Sequence, residues 1–151
     1  MGTSAIKQDY NRRSNEEWKE EWTTSDSYKR LRTPDTVPPA SKKFLTLTSD
    51  DRISKQQSSL LFQLRVGHTP LNAYLHRFKK VESARCPACG YKRENVDHFM
   101  LKCPKYDHER WPLLRQVKDN TPKIERILSD PKLVIPLLNY IDATERFKIQ
   151  Q

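Results

Sequence analysis

Four side chains within an 18-residue window constrain this chain more than anything else in it. They are Cys86, Cys89, His98 and Cys103, spaced Cys-x2-Cys-x8-His-x4-Cys. Two thiolates three residues apart, followed by Gly90, form a knuckle whose sulfurs face a common centre, and a His and a Cys five apart on a helical turn can complete a tetrahedron. The pattern predicts one Zn2+ held by these four residues. Three sulfurs and one nitrogen close the coordination and keep no position for water, which favours a structural ion over a catalytic one. His108 is an alternative fourth ligand, since Cys103-x4-His108 is also a workable spacing. His68 and His76 are expected to serve packing or capping. An odd count of three cysteines argues against a disulfide framework.

An ion would help a chain of this make-up. Only 35% of its 151 residues are hydrophobic and 31% are charged, so part of it is expected to be open and solvated. The net charge is +9, which makes polyanions natural partners. Residues 48–105 hold 11 Lys and Arg against 5 Asp and Glu, so most of the excess lies around the cysteines. No stretch approaches the roughly 18 apolar residues of a membrane span, and Met1-Gly-Thr-Ser-Ala-Ile-Lys lacks the apolar segment of a secretory signal. The expectation is a soluble intracellular protein, nuclear or cytoplasmic, with no membrane partner and no small-molecule substrate.

Local signals divide the chain. Residues 1–13 read as a flexible polar tail. Ser14 and Glu17 make a capping box that predicts a helix over 14–32, with Trp18 and Trp22 on one face as an anchor to the core. Residues 33–47 are a linker, where Pro34, Pro38 and Pro39 block helix. Residues 48–148 are expected to form a helical metal-binding domain. Its first helix should run from Ser49 or Asp50 to Val66, with Ile53, Leu60, Leu61 and Leu64 inward and Gly67 as the C-terminal cap. Thr69-Pro70 predicts a second start that buries Leu71, Tyr74, Leu75 and Phe78. Pro104 to Val117 is expected to be helical with a disturbance at Pro112. Ile124, Ile127 and Leu128 mark a short amphipathic piece. A last helix after Ser129-Asp130-Pro131 should pack Leu137, Leu138, Ile141 and Phe147. No alternating strand pattern is present, so the fold class is mainly α: a small multi-helix domain around one CCHC site with a short knuckle loop.

One combination of residues resembles a known family. Gln63-Leu64-Arg65-Val66-Gly67-His68 and Pro70-Leu71-Asn72-Ala73-Tyr74-Leu75 precede Cys86-Pro87-x-Cys89 and Glu94-x3-His98-Phe99-x-Leu101-x-Cys103-Pro104, with Tyr106 and Arg110 beyond. Together they resemble the C-terminal zinc-binding region of LINE-type (non-LTR) retrotransposon reverse transcriptase polyproteins, most like fungal elements. The likeness spans about residues 48–115. Trp18 and Trp22 resemble, more weakly, a Trp-x3-Trp helix that often precedes it. The resemblance implies His98 and Cys103 as ligands, and binding of RNA or DNA during target-primed reverse transcription. The acidic residues that catalyse in the polymerase and RNase H parts of such polyproteins have no counterpart here, so no enzymatic activity carries over.

The expected function is a zinc-stabilised nucleic-acid-binding module of low sequence specificity. Arg77, Lys79, Lys80, Arg85, Lys92 and Arg93 would neutralise phosphates, and Tyr91 at the knuckle tip would stack on an unpaired base. The alternative is a zinc-stabilised protein-interaction module, of the kind a domesticated or host-directed factor would be, docking a protein partner through the Trp18/Trp22 helix or the C-terminal helix.

Overall fold

The computed structural model describes residues 3–29 and 46–148. The linker expected over 33–47 lies outside them, apart from its last two residues, as does the end of the helix expected over 14–32. Among the described residues the secondary structure is helical, with no strand.

Helix α1 spans Thr3–Thr24, so it begins eleven residues before the expected start at Ser14 and takes in most of the expected tail. Charge spacing accounts for the extension. Asp9 pairs with Arg12 at 2.7 Å and with Arg13 at 2.9 Å, and Arg12 reaches Glu16 at 3.2 Å. These i,i+3 and i,i+4 pairs support helix on both sides of Ser14. Trp18 does not anchor to a core: it is 53% exposed, while Trp22 is half-buried edge-on against Tyr28 of α2 (Asp26–Lys29).

The domain proper starts its first long helix, α3, at Lys55–Val66. The start falls after Ser49 and Asp50 because Ser54 and Gln57 form a complete capping box, each side chain meeting the other's backbone N–H. Gly67 ends α3 in the left-handed region at φ 74°, where a side chain would be strained. Leu61 and Leu64 are buried, Ile53 and Leu60 partly so. Helix α4 covers Asn72–Arg77, with Leu71 rather than Thr69 at its cap position. Leu71 is buried and Tyr74 and Leu75 half-buried, but Phe78 is 50% exposed. The short helix turns away before Phe78 can reach the core.

After the cysteine loop, a 3-10 turn at Pro104–Tyr106 leads into α5 (Asp107–Val117), which accommodates Pro112 within its span. Helix α6 (Ile124–Ser129) buries Ile124, Ile127 and Leu128. The Asp130 side chain accepts from the Lys132 N–H at 2.9 Å and starts a 3-10 turn, Pro131–Leu133, that feeds α7 (Val134–Thr144). Helix α7 packs on α5 and α6, and α6 on α3. Leu137, Leu138 and Ile141 are buried between them, with Phe147 partly covered. Arg65 of α3 is 1% exposed and donates to the Leu128 carbonyl at 3.0 Å, which fixes α3 to α6 through the interior.

Candidate metal centre

The two halves of the motif arrive by different local devices. In the first, the Gly90 N–H donates to the Cys86 carbonyl at 2.8 Å and the Cys86 N–H to the Tyr91 carbonyl at 2.9 Å. Gly90 sits at φ 75°, which closes the knuckle tightly enough for both sulfurs to point inward. In the second, the Asn95 side chain accepts from the His98 N–H at 2.8 Å and opens a helical turn. That turn is a π-helix over His98–Lys102, closed by the Cys103 N–H donating to the His98 carbonyl at 2.7 Å. A π turn pairs residues i and i+5, so it sets Cys103 back over His98. An α turn would do this for residues four apart.

The ligand atoms of Cys86, Cys89, His98 and Cys103 all lie within 4.8 Å of one another. The Cys86 and Cys103 sulfurs are 3.9 Å apart, and Cys89 Sγ is 3.3 Å from His98 Nε2. Cys86, His98 and Cys103 are buried and Cys89 is partly covered. The group can hold a metal ion. His108 lies outside it, exposed in the first turn of α5, and does not serve as the fourth member. Burial raises the Cys103 thiol to about 12 and also raises Cys86, while burial lowers His98. Burial pushes Cys89 up too, but the Tyr91 backbone N–H and the neighbouring sulfurs bring it below its usual value. A divalent cation among these atoms is the kind of group that turns buried thiols into thiolates.

Around the ligands stands a polar shell that sequence reasoning did not single out. Glu94 is fully buried. Its carboxylate accepts two bonds from Arg146, at 2.6 and 2.7 Å, and one from the Asn72 N–H at 2.8 Å. Asn72 in turn donates from its side chain to the Arg85 carbonyl at 2.7 Å. The start of α4, the knuckle and the chain beyond α7 are thereby tied together beside Cys86. On the other side Arg110, 2% exposed, donates to the carbonyls of Met100 at 2.9 Å, Cys103 at 2.8 Å and Phe99 at 3.3 Å. The Tyr140 hydroxyl donates to the same Phe99 carbonyl at 2.5 Å. These bonds meet carbonyls that a widened turn would leave without partners. The sequence signal for this shell was that Asn72, Glu94 and Arg110 belong to the motif that resembles the retrotransposon polyproteins.

Arg77, Lys79, Lys80, Arg85, Lys92 and Arg93 are all exposed. Lys79 adopts φ 55° just past α4, which ends the helix and leads the chain away with Lys80. Arg85 is partly engaged, donating to the Gly90 carbonyl at 3.2 Å. Tyr91, the expected base-stacking residue, is 50% exposed, but one face is already taken: its ring lies 4.7 Å from that of His98 at an interplanar angle of 8°. Its first role is to cover the ligand imidazole. His68 stacks on Tyr74 and His76 is exposed in the last turn of α4. No helix among the described residues is long and apolar enough to cross a membrane.

Comparisons with family models, with curated proteins and with solved structures return no match.

Proposed function

We propose that this chain is a zinc-stabilised module that binds RNA or DNA through its basic surface, without catalytic chemistry of its own. The zinc assignment rests on donor type and spacing. Three sulfurs and an imidazole are a soft, tetrahedral set suited to Zn2+. With Zn–S bonds of about 2.3 Å, tetrahedral geometry separates two sulfurs by about 3.8 Å, close to the 3.9 Å between Cys86 and Cys103. All four positions are protein ligands, so the ion's role is to hold the fold.

The observation that carries the nucleic-acid reading is the exposure of Arg77, Lys79 and Lys80 at the end of α4 together with Arg85, Lys92 and Arg93 on the metal loop. Exposed cations held on a fixed frame neutralise phosphates and release counterions, whatever the sequence. The resemblance to retrotransposon polyprotein C-termini points the same way. The exposed Trp18 and Trp111, 53% and 63% accessible, favour the second reading, a protein-docking module.

Purified protein should carry one zinc per chain by elemental analysis, lost in His98→Ala and kept in His108→Ala. Its affinity for labelled oligonucleotides should fall steeply as salt is added. Reversing Lys79 and Lys80 to Glu should weaken binding to every sequence about equally, with zinc content and melting unchanged. If the wild type binds no nucleic acid at low salt, the protein-docking reading replaces this one.

A further inference from the structure

Between the C-terminal end of α3 and the metal loop lies a groove of about 380 Å³, lined among others by His68, Thr69, Tyr74, Arg77 and Arg93. Three independent features meet in it. Thr69 is fully buried, yet its hydroxyl has no hydrogen-bond partner among the described residues. A buried hydroxyl in that state is costly unless a further group meets it. Next, the exposed His68 ring stacks on Tyr74 at 5.3 Å, and Tyr74 touches Phe78 at 4.9 Å. This makes a short column of rings that ends at an open imidazole. Finally, Arg77 from α4 and Arg93 from the metal loop reach the groove from separate segments, and neither is paired with a carboxylate among the described residues. Two carboxylates also line it. Glu94 is neutralised by Arg146, which leaves Glu125 as the only unneutralised one.

We infer that this groove, rather than the tip of the knuckle, receives one nucleotide of a single strand: the base against the open face of His68, the phosphate between Arg77 and Arg93, and a sugar or base polar atom on the Thr69 hydroxyl. The inference rests on the nucleic-acid reading and places its stacking platform. Tyr91 is the weaker platform because its ring already lies flat on His98. A base can lie on His68 only if it is unpaired, so the groove selects single strands over duplexes.

The test uses the full zinc-loaded chain, with fluorescein-labelled oligouridylate, oligodeoxythymidylate and a duplex as probes in anisotropy titrations. His68→Ala should weaken both single strands on the order of tenfold and leave duplex binding unchanged. Arg77→Gln with Arg93→Gln should weaken the single strands to a larger degree and weaken the duplex as well, because two phosphate contacts are lost whatever the strand. Zinc content and melting of each variant are measured alongside. Because any variant can fold poorly, the wild type is also photocrosslinked to oligouridylate carrying 5-iodouridine, and the adducts are mapped by mass spectrometry. Adducts on His68 or Tyr74 support the assignment; adducts confined to Tyr91 overturn it. Wild-type binding that His68→Ala and the arginine pair leave intact overturns the groove while the wider nucleic-acid reading stands. No binding of any probe overturns both. Displacement of the strand by micromolar uridine monophosphate would overturn the strand and reassign the groove to a free nucleotide.

Discussion

The two halves of the domain are held by opposite kinds of interaction. Around the candidate metal centre, residues 84–110 bury the polar Glu94, His98 and Arg110 with Cys86 and Cys103, beside Val96, Phe99, Met100 and Tyr106, and contain no α-helix of more than one turn before α5. The α6–α7 half buries Ile124, Ile127, Leu128, Leu133, Val134, Leu137, Leu138, Tyr140 and Ile141, all but Tyr140 aliphatic. The first half is fixed by a few directional bonds, each of which leaves a buried polar atom stranded when broken. The second is fixed by apolar area, which is lost in small increments. An irregular loop has few backbone hydrogen bonds of its own, so a bound ion and charged hydrogen bonds would add to what Val96, Phe99 and Met100 bury.

The widest separation between the halves should come from removing the metal. Structural zinc sites contribute on the order of 10 kcal/mol. Chelation should abolish amide protection over 84–106 and leave protection in α7, read by hydrogen exchange with mass spectrometry. Simultaneous loss in α7 would show that the halves are one cooperative unit. The sign of the pH dependence follows from the ligands. Cys103 at about 12 and Cys86, also raised, keep their protons at neutral pH and release them when zinc binds. Zinc affinity should therefore rise with pH, roughly tenfold per unit for each proton released, and fall on acidification. His98, lowered by burial, is already neutral there and adds no such term near neutrality. Chelator competition across pH 6 to 8 measures the slope; a flat profile would contradict it.

Next in size is the ion pair between buried Glu94 and half-buried Arg146. Glu94→Ala strands the Arg146 charge and should cost about 3–5 kcal/mol by chemical denaturation. Replacing both partners with leucine should recover part of that loss, because the Asn72 N–H stays unmet. If the double variant is no more stable than the single, the cost does not come from the stranded charge. The smallest effect belongs to the aliphatic half. Leu137→Ala should cost about 2–3 kcal/mol with zinc content and zinc affinity unaltered, by the same denaturation and chelator assays. Weakened zinc binding in that variant would show that the two halves are not separable.

The same contrast governs how much was legible in the sequence. The candidate metal group could be read because metal chemistry restricts spacing, although spacing alone left His108 beside His98 as its fourth member, and the end of α3 could be read because Gly67 has one efficient use there. The aliphatic positions of α6 and α7 followed from their helical period. The start of α3 was readable in Ser54 and Gln57, but Ser49 and Asp50 competed as equally good caps until the tertiary fold chose between them. The ion pairs at helical spacing before Ser14 were as readable as the capping box at Ser14, and in α1 they prevail over it. The burial of Arg65, Glu94 and Arg110, and the pairing of half-buried Arg146 with Glu94, were not legible. Nothing local distinguishes a charged residue that will meet a distant partner, such as Glu94 and Arg146, from one that will face water. The π turn was hidden for a similar reason, since it depends on Arg110 and Tyr140 meeting its carbonyls from other elements.

That turn also limits how the chain length between His98 and Cys103 can vary. Deleting one residue from positions 101–102 would restore ordinary α winding and still return a cysteine over His98, so the ion alone would tolerate it. Everything from Pro104 onward would then be pulled back by one residue, a rotation of about 100° around the helix axis. Arg110 would swing off its three carbonyls and Tyr106 off the Phe99 ring, 5.6 Å from it in the intact chain. The extra residue is thus demanded by the packing on either side of the turn, and the ligand spacing is a record of that packing as much as of the metal.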